Sequence, residues 1–130
     1  MSVERVNPPE LAPPRGFSHA VVGTGTTVFL AGQTALDRSG RIVGGDIVAQ
    51  FEQALSNLLT ALRAAGGEPG QLASLTVYVT DMDDYRAHAG EIGRVWRRLA
   101  GRDYPAMAGI GVARLWDAEA LVEVQGFAVV

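Results

Sequence analysis

Between Asp46 and Gly66, the residues Ile47, Phe51, Ala54, Leu55, Leu58, Leu59 and Leu62 recur at helical spacing and form one apolar stripe. Gln50, Glu52, Gln53 and Arg63 lie away from the centre of that stripe. Asp46 suits the start of such a helix, Gly66-Gly67 its end, and Pro69 prevents it from resuming. A helix that is apolar on one side only needs a surface to cover, and the segments around it supply strands.

Phe17–Val22 and Thr26–Ala31 read as two short strands separated by the turn Gly23-Thr24-Gly25, and Arg41–Val43 as a brief third. Leu72–Thr80 alternates, with Leu75, Val77 and Val79 on one face and Thr76, Tyr78 and Thr80 on the other. Asp81, Asp83 and Asp84 then open a second helix that runs to Gly101, with Tyr85, Ala89, Ile92, Trp96 and Leu99 as its buried stripe. Ala106–Leu115 and Leu121–Val130 are two further strands. The order β-β-(β)-α-β-α-β-β predicts an α+β fold, one sheet with two helices packed on one face. The second sheet face is also largely apolar, which predicts self-association to cover it. Residues 1–15 hold Pro8, Pro9, Pro13 and Pro14 and read as an extended lead-in; a single domain is expected over residues 16–130.

Composition excludes much chemistry. With 130 residues, 48% of them hydrophobic, the chain suits one domain with a core that needs no staples. Cysteine is absent, so disulfides, thiolate nucleophiles and Cys-ligated zinc are excluded. All 11 basic residues are arginine, which removes any Schiff-base or P-loop lysine. Only His19 and His88 are available as imidazoles, so no metal site is expected. A net charge of -3 argues against a nucleic-acid surface, and the arginines of the second helix, Arg94, Arg97 and Arg98, read as a solvated face. No apolar run approaches the roughly 18–20 residues that cross a bilayer, and a soluble cytoplasmic protein is expected.

The last strand carries the most informative residue. Val122, Val124, Gly126 and Ala128 share one face, and Glu123 stands on the other beside Leu121, Gln125, Phe127 and Val129. Glu123 either pairs with Arg114 or caps a sheet edge, or it is a carboxyl group in a low-dielectric pocket, suited to proton transfer. The preceding strand aligns Met107, Gly109, Gly111 and Ala113, and strand glycines mark either a bulge, subunit packing or a closely approaching ligand. Ala31-Gly32-Gln33 offers backbone groups that bind a ligand or shape a turn. His19 shares a strand face with Phe17, and Trp116 follows a strand in a loop, where it lines a pocket or packs in the core.

Together these segments resemble the Rid family of reactive-intermediate (enamine/imine) deaminases, often labelled endoribonuclease L-PSP. The matching pieces are Gly16–Val21, Val28–Gln33, Gly45-Asp46 through Gly66, Thr76–Tyr85, Tyr104-Pro105-Ala106, and Val112–Leu115 with Leu121–Val124. The resemblance implies a chorismate-mutase-like fold assembled as a homotrimer, with sheets facing a barrel-like core and ligand clefts between subunits. It implies hydrolysis of 2-imino or 2-enamino acids to keto acids and ammonia without a cofactor. Glu123 aligns with the family's acidic residue, which is thought to activate or orient water. The site residues expected by this resemblance are Glu123 as the catalytic group, with Phe17, His19, Ala31, Gly32, Met107 and Trp116 around the ligand.

The sequence departs from the family where the ligand would be held. Pro105-Ala106-Met107 stands where the deaminases carry Pro-Ala-Arg, Phe17 replaces a tyrosine, Ala31 a serine and Ala89 an asparagine. Loss of such an arginine typically costs about 2–5 kcal/mol of binding to a carboxylate. The expected ligand is therefore an imine or enamine less charged than a free imino acid, hydrolysed or tautomerised with Glu123 moving protons. A trimer that binds a metabolite without chemistry is the alternative. The endoribonuclease label is discounted, for want of a His pair and a basic groove.

Overall fold

The computed structural model describes residues 2–130. Its strands are β1 (Val3–Val6), β2 (Ala20–Gly23), β3 (Thr27–Gln33), β4 (Leu72–Val79), β5 (Ala106–Gly111) and β6 (Val122–Val129). Its helices are α1 (Ile47–Ala64), α2 (Met82–Ala87) and α3 (Ala89–Ala100), with a single 3-10 turn at Pro69–Gln71. Strands β3-β6-β4-β5 form a mixed sheet in that order; β4 and β5 run parallel, and β6 is antiparallel to both β3 and β4. The helices lie on one face, and the α+β arrangement expected from the element order is the one found.

The core follows from the two periodicities. Helix α1 buries Ile47, Phe51, Ala54, Leu55, Leu58, Leu59 and Leu62. They pack against Leu75, Val77 and Val79 of β4 and Val122, Val124 and Ala128 of β6. Each large side chain so buried contributes about 1.5–3 kcal/mol relative to exposure. Asp46 caps α1 as its position suggests, its Oδ1 accepting from Ala49 N–H at 2.8 Å. The expected two-layer packing thus rests on the residues that predicted it.

Several elements differ from the sequence expectation. The lead-in is extended, but Val3–Val6 pairs with Ala20–Gly23 as a separate two-stranded ribbon, and Val3 is buried. The first strand begins at Ala20, because Phe17 and Ser18 are drawn to the start of β5: Ser18 N–H donates to Pro105 O at 2.9 Å. Arg41–Val43 is reduced to one bridge, Leu36 to Ile42. The second helix is two helices meeting at His88, and β5 ends at Gly111 instead of reaching Leu115. Gln50, placed off the apolar stripe by spacing alone, is buried at 3% exposure. Its Oε1 accepts from Leu121 N–H at 2.8 Å and its Nε2 donates to Glu119 O at 3.1 Å, which anchors the entry to β6 on α1.

The outer face of the sheet carries Phe29, Phe127 and Ile110, which are 76%, 41% and 42% exposed. Phe29 and Phe127 are register partners, and their rings meet edge to face at 5.4 Å between centroids. This is the apolar second face that the alternation of the strands predicts.

Candidate functional site

The sequence-predicted residues separate into two groups, and the sheet lies between them. On the outer face, Ala31, Gly32 and Glu123 come together. The register of β3 against β6 shifts between Leu30 and Gln33, so one extra residue is accommodated at Ala31-Gly32. A bulge of this kind bends the strand and re-aims its neighbours. The Glu123 carboxylate occupies the space above Gly32 where a side chain would begin. Glu123 stands opposite Tyr78 of β4, whose hydroxyl is 3.4 Å from Gln125 Oε1. Asn57 of α1 steadies the chain beyond the bulge, donating from Nδ2 to Thr34 O at 3.1 Å and to Leu36 O at 2.9 Å.

Glu123 has no arginine partner within 4.0 Å among the described residues. Arg114, the partner the sequence offers, instead donates to carbonyls of its own loop, Leu115 O at 3.2 Å and Trp116 O at 3.4 Å. The loop leaves Trp116 91% exposed, and it lines neither cavity of the helix face.

On the helix face, Phe17 and Met107 line a cavity of about 170 Å³ with Val77, Tyr85 and Gly109. Met107 is on this face because it stands level with Leu75 in the parallel β4–β5 pair. Phe17 is held there by Ser18, whose buried Oγ donates to Tyr104 O at 2.7 Å. Gly109 and Gly111 meet nothing within 4 Å where a Cβ would stand, so packing within this chain does not require glycine at either position. His19 touches Phe17 edge to face at 5.0 Å, but its Nε2 is 2.7 Å from Ala12 O, and its backbone N–H donates to Asn7 Oδ1 at 2.8 Å. His19 therefore fastens the lead-in to the fold, and neither cavity counts it among its walls.

A larger cavity of about 380 Å³ shares Gly16, Tyr85 and Met107 with the smaller one. Trp96 and Tyr104 stack within it, 5.1 Å between ring centroids, and Ala89 and Gly93 leave room along α3. Burial, with the neighbouring Tyr104 hydroxyl, pushes the Tyr85 phenol up to about 12. Tyr85 is thus a neutral hydroxyl at any physiological pH. Reading the chain assigned Tyr85 and Trp96 to a buried stripe and Arg97 to a solvated patch, and so missed their place at a cavity. The signal was present in the spacing: Ala89 and Gly93, four residues apart, put two small residues on one face of α3, where a core helix would carry large ones. Of the three helix arginines, Arg98 is paired, with Glu52 at 2.7 Å.

The two groups point away from one another. Tyr78 and Glu123 share the outer face, while Leu75, Val77 and Met107 share the helix face. Within one chain, Glu123 and Met107 cannot touch the same small ligand. The chain also contains no cluster of three or more metal-ligating side chains among the described residues, and no helix long and apolar enough to cross a membrane.

Comparison with known proteins places this geometry. The endoribonuclease L-PSP family model matches residues 8–130. The chain is 34% identical over 116 residues to a RutC family protein of Pyrococcus horikoshii, covering 88% of each. It is 34% identical over 104 residues to the mouse 2-iminobutanoate/2-iminopropanoate deaminase, covering 79% of this chain and 73% of that one. Among solved structures, a Rid-family protein of unknown function from Yersinia pestis superposes with a TM-score of 0.90 at 36% identity over 100% of both chains. Escherichia coli TdcF with bound serine superposes with a TM-score of 0.72 at 27% identity, covering 95% and 93%. The chain belongs to the endoribonuclease L-PSP family, which is that of the Rid proteins.

Proposed function

We propose that this chain is a cofactor-independent hydrolase of an imine or enamine that carries no carboxylate beside the reacting carbon, working in clefts between the subunits of a homotrimer. The observation that carries this reading is the placement of Glu123 and Met107 on opposite faces of one sheet. A second copy that covers the exposed Phe29–Phe127 face and wraps the open edge of β5, the strand of Met107, would bring its own bulge and Glu123 to the Phe17–Met107 cavity. The curated mouse relative is named as an imine deaminase, and the TdcF structure holds serine, both in keeping with a small-molecule cleft.

The chemistry needs little more than a placed water. Water adds to the C=N carbon while Glu123 accepts one of its protons and returns it to nitrogen, giving a neutral carbinolamine. Glu123 then carries the hydroxyl proton to the amine, the C–N bond breaks, and ammonia leaves as the carbonyl forms. The N–H groups of the bulge at Ala31-Gly32 are the available donors for the developing charge. Met107 offers a thioether where a guanidinium would grip a carboxylate, so the end of the substrate that meets it is uncharged. Localisation in the cytoplasm is the setting this reading assumes.

The test is a coupled assay for ammonia release with 2-aminoacrylate and with aryl alkyl imines lacking an adjacent carboxylate. Wild type should hydrolyse the latter, Glu123→Gln should lower the rate about 100-fold or more, and Met107→Arg should gain activity on 2-aminoacrylate. Rapid turnover of 2-aminoacrylate by wild type would overturn the reading of Met107. No turnover by any variant would replace the enzyme with a metabolite-binding trimer.

A further inference from the structure

The larger cavity has a charge pattern that the uncharged wall at Met107 does not explain. Two of its walls are Arg15, from the end of the lead-in, and Arg97, from the last turn of α3. No carboxylate lies within 4.0 Å of either among the described residues, and no acidic residue lines the cavity. Other arginines of this chain do find partners, Arg5 with Asp103, Arg63 with Glu68 and Arg98 with Glu52. Two uncompensated guanidinium groups at one cavity form an electropositive mouth that favours an anion. The Tyr85 and Tyr104 side chains and the indole of Trp96 line the same cavity, an amphipathic floor suited to an aryl or alkyl chain.

The arginines also stand apart from the expected reacting end. Arg15 and Arg97 line the larger cavity only, whereas Phe17 and Gly109 line the smaller one; Gly16, Tyr85 and Met107 belong to both. We propose that Arg15 and Arg97 bind a carboxylate at the far end of the ligand, so that this cavity takes an aryl- or alkyl-chain organic acid whose acidic group is remote from its imine. This deepens the functional reading above and rests on it for the position of the imine. A site with a thioether at residue 107 thereby still selects an acid, through cations on another wall of the cavity and a longer substrate that reaches them.

Binding can be measured without turnover, which separates this inference from the hydrolase reading. The chain has two tryptophans, Trp96 in the cavity and the exposed Trp116. In a Trp116→Phe background, Trp96 fluorescence becomes the reporter. The probes are 3-phenylpropionate and its uncharged analogue 3-phenylpropan-1-ol, titrated at low and at high salt. The acid should bind about tenfold tighter than the alcohol at low salt, with the preference shrinking as salt rises. Arg15→Gln and Arg97→Gln should each weaken acid binding several-fold, and the double variant should erase the preference, while binding of the alcohol stays unchanged. Unchanged alcohol binding also shows that the variants remain folded. Equal affinity for acid and alcohol in wild type, no binding of the acid, or an acid preference that survives in the double variant would each overturn the proposal. Acid binding by a protein that hydrolyses no imine would uphold it and sink the hydrolase reading alone.

Discussion

The Glu123 carboxylate fills the place above Gly32 that any other residue's Cβ would take. The atom it would strike is the end of a flexible side chain, so a methyl group at residue 32 moves the carboxylate and leaves the backbone alone. Gly126, three residues along the same strand as Glu123, presents the opposite case: its Cβ would meet the backbone oxygen of Ser74 and the Leu75 side chain. Gly32→Ala should therefore leave unfolding by urea within about 0.5 kcal/mol of wild type while lowering imine turnover. Gly126→Ala should destabilise by about 1–3 kcal/mol, because neither β4 nor β6 can yield without breaking ladder bonds. Equal destabilisation by the two would show that the bulge, and not the carboxylate, needs the glycine.

Gln50 makes a second prediction about what holds the site. It is the buried polar link between α1 and the loop entering β6, and it serves Leu121 N–H and Glu119 O at once. Gln50→Leu matches its size but leaves a donor and an acceptor without partners, at a cost of about 1–3 kcal/mol each. Gln50→Glu keeps the acceptor for Leu121 but buries a carboxylate against the Glu119 carbonyl, which it can serve only when protonated. Chemical denaturation should find both variants less stable than wild type at neutral pH, with Gln50→Glu alone recovering towards wild type as pH falls.

Much of this arrangement was legible in the chain. The α1 stripe, the alternation of β4 and the faces of β6 come from periodicity alone, and the structure keeps them. Glu123 and the Ala31-Gly32 pair stand out separately, by chemistry and by strand position, and Glu123 does meet Gly32. What could not be read was any contact set by register. A one-residue shift at Ala31-Gly32 is invisible to hydrophobic pattern, yet it decides what lies under Glu123. Likewise, the parallel pairing of β5 with β4 decides that Met107 faces the helices, and nothing local to Met107 states which strand it will join. Arg15 reaches a cavity only because buried Ser18 ties its neighbourhood to Pro105, across most of the chain. The lead-in looked detached because its prolines exclude helix, but they do not exclude the edge pairing that Val3–Val6 makes.

The junction of α2 and α3 is pH-sensitive in a defined direction. His88 Nδ1 lies 2.9 Å from Asp84 O and 3.2 Å from Asp84 Oδ1. The backbone carbonyl of Asp84, then the charges of Asp84, Glu91 and Asp46, hold the imidazole above its usual 6.5, against some desolvation. A raised histidine contributes its stability fully below the unfolded value and loses it as pH rises through the folded one. Wild type should therefore lose a small stability advantage over His88→Gln as pH rises from the unfolded value of 6.5 through the higher folded one. The imidazole proton resonances of His88 should titrate with a midpoint above 6.5. A midpoint at or below that value would show that the Asp84 contact is not kept in solution.

The separation of Glu123 from Met107 by the sheet bears on how many chains make one site. If one subunit supplies the cavity and its neighbour supplies the carboxylate, two defects in different chains need not coincide at one cleft. Glu123→Gln removes the carboxylate, and Met107→Asp places a negative charge against the ligand in the cavity. Each variant alone should be inactive. Co-assembled in equal amounts, they should recover about a quarter of wild-type activity, because a quarter of the interfaces in a randomly mixed cyclic assembly pair an intact cavity with an intact carboxylate. Mixing preformed assemblies without exchange should recover none, which controls for trace activity of either parent. A third variant tests the surface that would join the chains: Phe29→Asp puts a charge on the 76% exposed ring position of the outer face. Sedimentation should then find monomers that are folded by circular dichroism and catalytically silent, although Glu123, Gly32, Phe17 and Met107 are all still present. Full activity in such monomers would mean that a single chain brings both groups to its ligand, which the placement of Tyr78 and Leu75 on opposite faces of β4 forbids.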